Sequence, residues 1–153
     1  MPQIDPLKAV RSILVPVDGS EASYNALATV CEIARHTKAQ VAALHVIEVP
    51  RAQALDADLP DEAERGEVYL ERAERLAGDH KVKLRGELLQ ARHAGPAIVD
   101  EAAAGEIDAI AIGLGAGGPY GRFQLNEATQ YVLEHAGCDV WVFRYATEDG
   151  QAE

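Results

Sequence analysis

The sequence predicts an α/β domain: a three-layer, open, parallel five-stranded sheet with helices on both faces. Two observations support this prediction. Five short apolar runs alternate with four stretches of helical periodicity along the 153 residues, as in a sheet whose parallel strands are joined by helices. The hydrophobic fraction is 48% while aromatic residues make up only 5%. The apolar residues are therefore mostly Ala, Val, Leu and Ile, which suit helices packed on a parallel sheet.

The first strand–helix–strand unit follows a lead-in at residues 1–10 that carries two prolines and no periodicity. Ser12–Val17 (SILVPV) is apolar without alternation, which is typical of a strand buried on both faces. Asp18-Gly19-Ser20 closes this strand, and Ser20 is a good N-cap for a helix over about 20–36. Gln40–Val49 is the second strand, and the two strands form a right-handed parallel unit.

The remaining elements are predicted from apolar periodicity and from turn residues. In chain order they are a loop at 50–60, an amphipathic helix at 61–77 ended by Gly78-Asp79-His80, a strand at Leu84–Ala91, a short helix from Gly95-Pro96 to about Ala104 stopped by Gly105, a strand at Ile107–Ile112, a helix from near Asn126 to His135, and a strand at Val140–Arg144. We therefore predict one domain over residues 1–146 and a disordered tail at 147–153.

Charge and composition exclude several classes of function. The chain has 25 acidic and 14 basic residues and a net charge of −11, which opposes binding to nucleic acid and to anionic membranes. It has no apolar run of about 18 residues, and its N-terminus lacks the apolar core of a signal peptide. Cys31 and Cys138 lie in apolar contexts without a CxxC motif. We therefore expect a cytoplasmic protein with two reduced thiols.

A glycine-rich loop follows the fourth strand. Five glycines fall between Gly113 and Gly121, and a helical pattern begins near Asn126. A strand, a glycine-rich loop and a helix start together present backbone N–H groups to an anion, because glycine permits close approach and positive φ. A surface loop without a ligand is the alternative interpretation.

Three stretches resemble the universal stress protein family: ILVPVDGSEAS at 13–23, LHVIE at 44–48, and the segment from Ile107 to Arg144. The resemblance implies a Rossmann-like, adenine-nucleotide α-hydrolase-like sheet of order 3-2-1-4-5 and a cytoplasmic homodimer. In the ATP-binding branch of the family it also implies a nucleotide in the crevice after strands one and four, with Pro16, Asp18 and Val46 at the adenine end. The candidate binding residues are Pro16, Val17, Asp18, Val46, Gly113, Gly115, Ala116, Asn126, Glu127 and Ala128.

The chain departs from the family's phosphate motif, which is glycine, two residues, glycine, nine residues, glycine, and then serine or threonine. Gly113 matches, but Ala116, Asn126 and Glu127 occupy the other three positions. Glu127 puts a carboxylate at the helix start that would receive phosphate. Two unit charges about 4 Å apart repel by roughly 4 kcal/mol at an effective dielectric constant near 20, or about three decades of affinity. A bridging Mg²⁺ would reverse the sign.

Other motifs are weaker. Gly113, Gly115 and Gly118 spell GxGxxG, the dinucleotide fingerprint, but Pro119 and Gly121 keep a helix from starting there and no later strand supplies the acidic ribose ligand. The five histidines have no metal-ligand spacing, and His45 is expected to be packed in the core. Ser20 lacks a placed base, and its N-cap role accounts for it. We therefore predict no catalytic residues and no metal site.

The last strand has two apolar faces. Trp141 and Phe143 lie on one and Val140 and Val142 on the other, on what the resemblance makes an edge strand. Such an edge invites pairing, so we expect a homodimer through Val140–Arg144. The predicted function is that of a non-enzymatic regulatory protein of universal stress type that acts through an unidentified protein partner. Its nucleotide crevice would be degenerate, with weak or lost ATP binding. The alternative is a functional sensor of ATP or another adenine nucleotide, assisted by Mg²⁺.

Overall fold

The structure is a computed structural model that describes residues 9–115 and 125–146. It contains a five-stranded parallel sheet of order β3-β2-β1-β4-β5, which confirms the predicted fold. The elements are β1 Ser12–Pro16, α1 Glu21–Thr37, β2 Gln40–Glu48, α2 Pro60–Asp79, β3 Leu84–Ala91, α3 Ala94–Ala104, β4 Ala109–Leu114, α4 Glu127–His135 and β5 Asp139–Arg144. The predicted tail at 147–153 and most of the lead-in lie outside the described residues.

Strand β1 lies at the centre of the sheet, between β2 and β4. Its pairing places Leu14 beside Ala42 on one side and beside Ile110 on the other. Ile13 and Val15 are fully buried on one face and Leu14 is 2% exposed on the other, so the apolar run is buried on both faces, as predicted. The adjacency of β1 and β4 brings the two candidate loops to the same edge of the sheet.

The helices lie in two layers, one on each face of the sheet. Helices α1 and α2 cover the face that presents Ile13 and Val15, while α3 and α4 cover the face of Leu14. On α2, Ala73 and Ala77 are fully buried, as the predicted amphipathic pattern requires. This helix also buries Gly66, where a Cβ would lie 2.6 Å from the Leu88 side chain. Leu88 lies on β3, so the sequence around Gly66 does not predict this contact.

Helix ends follow the predicted capping residues in two cases. The Ser20 hydroxyl accepts from the Ser23 N–H at 3.2 Å, and the Asn126 side chain accepts from the Thr129 N–H at 2.8 Å. Helix α2 continues two residues past Ala77 and ends at Asp79, within the predicted stop Gly78-Asp79-His80. The predicted start of β4 was two residues early, because the Ile107 N–H bonds to the Ala102 carbonyl at the end of α3.

Strand β5 is an edge strand that pairs with β4 on one side of the sheet. Trp141 and Phe143 pack against the core beneath α1 and α2, and Val140 packs against the opposite core. All three side chains are half-buried. The two apolar faces predicted for this strand are therefore both present. Among the described helices, none is long and apolar enough to cross a membrane.

Candidate functional site

A crevice of about 390 Å³ opens at the carboxyl ends of β1, β2 and β4, facing the first turns of α3 and α4. The chain leaves β1 toward one side of the sheet and β4 toward the other, and open parallel sheets bind ligands at such a switch point. A second cavity of about 540 Å³ lies at the opposite edge, near the amino ends of the strands. Because ligands of such sheets bind at the carboxyl ends, the crevice is the stronger candidate.

Most of the predicted binding residues meet in this crevice. Eight of the ten line it: Pro16, Val17, Asp18, Val46, Gly113, Asn126, Glu127 and Ala128. Gly115 is described by the structure but lies outside this set, and Ala116 lies outside the described residues. The predicted set therefore comes from four separate segments of the chain that the parallel sheet brings to one edge.

A further group of lining residues was not predicted from the sequence. These are Ser23, Leu44, His45, Glu48, Ala94, Ile98, Ile112 and Thr129. Leu44, Ile98 and Ile112 are buried and give the crevice an apolar wall. The segment LHVIE at 44–48 could have predicted part of this group. It forms the carboxyl end of β2, and β2 lies beside β1, so its last residues reach the same edge of the sheet.

Asp18 is exposed and lines the crevice, but its side chain already has partners. Its Oδ1 accepts from the Ser20 backbone N–H at 2.9 Å and from the Ser20 hydroxyl at 2.5 Å. These bonds fix the turn that leads into α1. The second carboxylate oxygen is not engaged by either bond, so the residue can brace the turn and face the crevice at once.

His45 is half-buried and belongs both to the packing and to the crevice. Its Nδ1–H donates to the Val17 carbonyl at 2.7 Å, and its ring meets the Tyr69 ring edge-on at 5.2 Å. The prediction of a packed histidine describes these contacts, but it did not anticipate that the residue also lines the crevice. The hydrogen bond ties the end of β2 to the end of β1.

Gly113 lines the crevice, but close packing explains its lack of a side chain. A Cβ at this position would overlap the carbonyl oxygen of Ala22 in the first turn of α1 and lie 2.7 Å from its carbonyl carbon. Neither Gly113 nor Gly115 has a positive φ, so at Gly113 glycine serves close approach and not a left-handed backbone. Gly19 does have a positive φ, of 87°. A Cβ on Gly19 would meet the Tyr69 ring at 2.6 Å, so α2 packs directly on the turn after β1.

The charged side chains that line the crevice are acidic. They are Asp18, Glu48 and Glu127, all exposed to solvent. The Glu48 Oε2 accepts from the Ala94 N–H, the first of α3, at 2.8 Å. Glu127 is the first residue of α4 and therefore stands where a helix end favours an anion. Among the described lining residues there is no Lys or Arg.

The hydroxyl groups of Ser20 and Ser23, beside the crevice, are bonded within the β1–α1 turn. The Ser23 hydroxyl donates to the Ser20 carbonyl at 2.7 Å, and the Ser20 hydroxyl donates to Asp18. The Nδ1 of His45 is bonded to a backbone carbonyl. The two serine hydroxyls thus hold the β1–α1 turn, and the His45 ring joins the end of β2 to the end of β1.

A model of the universal stress protein family matches residues 9–144, so the chain belongs to this family. A universal stress protein of Methanocaldococcus jannaschii is 28% identical over 140 residues, which cover 88% of this chain and 82% of that protein. The structure of UspA from Lactobacillus plantarum is similar with a TM-score of 0.70 and 28% identity, over 88% of this chain and 98% of that chain.

A third similar structure is that of the universal stress protein from Archaeoglobus fulgidus in complex with dAMP. Its TM-score is 0.68 and its identity 20%, over 86% of this chain and 95% of that chain. At this identity the likeness concerns the fold. The fold is the adenine-nucleotide α-hydrolase-like one that the resemblance implied.

Proposed function

We propose that this chain is a non-enzymatic regulatory protein of universal stress type, whose crevice binds the adenosine part of a ligand and binds triphosphate weakly or not at all. The observation on which this proposal depends is Glu127, which stands at the first position of α4 and lines the crevice. In this view the protein reports its state to a protein partner through its surface and works in the cytoplasm.

The size and chemistry of the crevice support the binding of an adenosine group. A volume of about 390 Å³ lies within the range of roughly 300–1,000 Å³ that small-molecule pockets have. The wall formed by Leu44, Ile98 and Ile112 suits a flat, apolar base. Asp18 at the edge offers a carboxylate that can accept from an exocyclic amine. The relative from Archaeoglobus fulgidus carries dAMP, a ligand of the same class.

The weakness of triphosphate binding is supported by the position of Glu127, and its exposure sets the magnitude. A charge pair about 4 Å apart interacts by roughly 4 kcal/mol at a dielectric constant near 20 but by about 1 kcal/mol in water. Because Glu127 is exposed, solvent screens it and the lower part of this range applies. We therefore expect removal of its charge to recover roughly one decade of ATP affinity, rather than the three decades that a dielectric constant near 20 gives.

Calorimetric titration with ATP in the absence of divalent metal tests this proposal. Wild type should bind weakly or not at all, and Glu127→Ser should bind roughly tenfold more tightly. Glu134→Ser is the matched control, because Glu134 is an exposed carboxylate in the last turn of the same helix. Micromolar binding of ATP by the wild type without metal would contradict the proposal.

The absence of catalysis is supported by how the hydroxyl groups are used. Ser20 and Ser23 are bonded within the β1–α1 turn, and His45 holds the Val17 carbonyl. Incubation of the protein with ATP and Mg²⁺, followed by measurement of released phosphate, should give no release above the buffer rate. Turnover that Ser23→Ala abolishes would contradict this part of the proposal.

A second candidate function is a sensor of an adenine nucleotide that requires Mg²⁺. The three carboxylates of the crevice, Asp18, Glu48 and Glu127, are the observation in its favour, since Mg²⁺ prefers carboxylate and phosphate oxygens. The same titration with Mg²⁺ present separates the two candidates. A sensor would gain micromolar affinity for ATP with Mg²⁺ and lose it in Glu127→Ser, whereas our first proposal predicts a gain in that variant.

A further inference from the structure

We propose that the crevice selects an adenine nucleoside whose 5′ end is neutral or cationic over the phosphorylated forms of the same nucleoside. This inference rests on the proposed function, because it assumes that the adenosine part binds in the crevice. It goes further in that it names the charge of the ligand and extends the rejection from triphosphate to a single phosphate.

The first observation is the sign of the charge around the crevice. Three carboxylates line it, from the ends of β1 and β2 and from the start of α4. Lys and Arg are the side chains that offset the charge of a bound phosphate. The described part of the lining contains neither residue. The whole chain adds to this field with a net charge of −11.

The second observation concerns the helix ends that face the crevice. The start of α3 is already occupied, because the Glu48 carboxylate accepts from the Ala94 N–H at 2.8 Å. The start of α4 is partly occupied, because the Asn126 side chain takes the N–H of Thr129. Glu127 adds its own negative charge in the first turn of α4. Both dipoles therefore act first on side chains of this chain, and a phosphate gains less from them.

These carboxylates would attract a cation. A ligand with an ammonium group at the 5′ position would meet Glu48 or Glu127 with charge-assisted hydrogen bonds. A neutral 5′ hydroxyl would lose nothing by repulsion. Each unit of negative charge on a phosphate at that position would be repelled by an exposed carboxylate by about fivefold in affinity at contact distance in water.

A series of three ligands that differ only at the 5′ position tests the inference by calorimetry, in buffer without divalent metal. The probes are 5′-amino-5′-deoxyadenosine, which is cationic, adenosine, which is neutral, and AMP, which is anionic. We expect the dissociation constants to rise in that order, by about fivefold or more at each step. The differences among the three dissociation constants should become smaller at high salt, because screening weakens the interactions of exposed charges.

Two variants assign the effect to named carboxylates. Glu127→Gln and Glu48→Gln should each lower the ratio of the AMP dissociation constant to that of the amine by about fivefold or more. In Glu48→Gln the side-chain amide oxygen can still accept from the Ala94 N–H, so this variant removes charge without removing the α3 cap. Glu134→Gln, on the far turn of α4, is the control and should leave the ratio unchanged.

The outcomes separate this inference from the proposed function. Binding of AMP as tight as that of adenosine, or tighter, overturns the charge selection while the adenosine crevice stands. If the ratio of the AMP dissociation constant to that of the amine is unchanged in both glutamine variants, the assignment to Glu48 and Glu127 is overturned. If none of the three probes binds, the proposed function fails and the inference fails with it.

Discussion

Asp18 illustrates how a single side chain can serve the fold and the site. Its Oδ1 accepts two hydrogen bonds from Ser20, so the carboxylate holds the turn between β1 and α1. The same residue lines the crevice. The hydrogen bonds of the turn use Oδ1, and the ligand contact that we propose would use the other carboxylate oxygen, so substitutions can separate the two roles.

We predict that Asp18→Asn retains stability while it weakens adenosine binding. An asparagine Oδ1 can still accept the Ser20 N–H, whereas loss of a charged acceptor for the ligand costs about 1.5–3 kcal/mol, roughly tenfold or more in affinity. Asp18→Ala should lose both the affinity for adenosine and the hydrogen bonds to Ser20, so that the free energy of unfolding falls by about 1 kcal/mol. Urea unfolding and calorimetry measure the two effects. If Asp18→Asn loses stability but keeps its affinity, Asp18 only caps the turn.

The two cysteines differ in burial and lie on opposite faces of the sheet. Cys31 is fully buried in the core under α1, and Cys138 is half-buried beside the opposite core. Burial raises the pKa of the Cys31 thiol to about 11, and burial together with Asp139 and Asp108 raises the pKa of Cys138. A raised pKa lowers the thiolate fraction at a given pH, and the thiolate is the reactive form.

We predict that Ellman's reagent at mildly alkaline pH labels Cys138 slowly and Cys31 only after unfolding. The variants Cys31→Ala and Cys138→Ala assign each kinetic phase of labelling to one cysteine. In urea, both thiols should react. Because the folded pKa of Cys31 lies above its unfolded value of 9.0, its contribution to stability should be present below that pH and lost as pH rises toward about 11. Immediate labelling of both thiols in the folded protein would contradict the prediction.

At the scale of elements, the ends of β1 and β4 are fixed by helices that pack on their loops. Helix α1 approaches Gly113 through the Ala22 carbonyl, and α2 covers Gly19 with the Tyr69 ring. Tyr24 joins the two helices, because its hydroxyl donates to the Tyr69 carbonyl at 3.2 Å and its ring lies 3.9 Å from the Arg72 guanidinium. The mouth of the crevice is therefore held from the side of α1 and α2.

We predict that Gly113→Ala lowers the free energy of unfolding by about 1–3 kcal/mol, because the new Cβ would overlap the Ala22 backbone. Gly115→Ala is the matched control. A Cβ there would meet its nearest neighbour, the Ala22 Cβ, at 3.7 Å, and its φ is not positive. This variant should be neutral or slightly stabilising. Equal stability of the two variants in urea unfolding would show that α1 moves to accept the methyl group.

At the scale of the whole molecule, β5 leaves one side of the sheet unpaired by the described residues of the same chain. Trp141 and Phe143 are only half-buried although they pack on the core. An apolar strand at the edge of a sheet favours pairing with another strand. We propose that β5 of a second copy supplies it, so that the protein is a homodimer through Val140–Arg144.

We predict that Val142→Lys gives monomer or aggregate where the wild type gives dimer, since a charged side chain on an edge strand blocks pairing. Val68→Lys is the control, because Val68 is 55% exposed on α2, away from β5. Light scattering after size-exclusion chromatography at micromolar concentration measures the mass. A monomeric wild type would contradict the dimer.

The sequence by itself determined the elements, their order and the edge of the sheet that holds the candidate site. Apolar runs and capping residues are local signals, so the buried strand β1 and the caps Ser20 and Asn126 could be read directly. The chain order of strands and helices then required a parallel sheet. The helical pattern that begins near Asn126 placed Glu127 at the start of α4 before any contact was known.

Only the tertiary structure decided which residues meet at that edge and why Gly113 is a glycine. The contacts of Gly113 with Ala22, of Gly19 with Tyr69 and of Glu48 with Ala94 join residues from different elements. Such contacts depend on how helices pack across the sheet, and no local period or propensity encodes them. For the same reason, the acidic character of the crevice became visible only when the ends of β1 and β2 and the start of α4 were brought together.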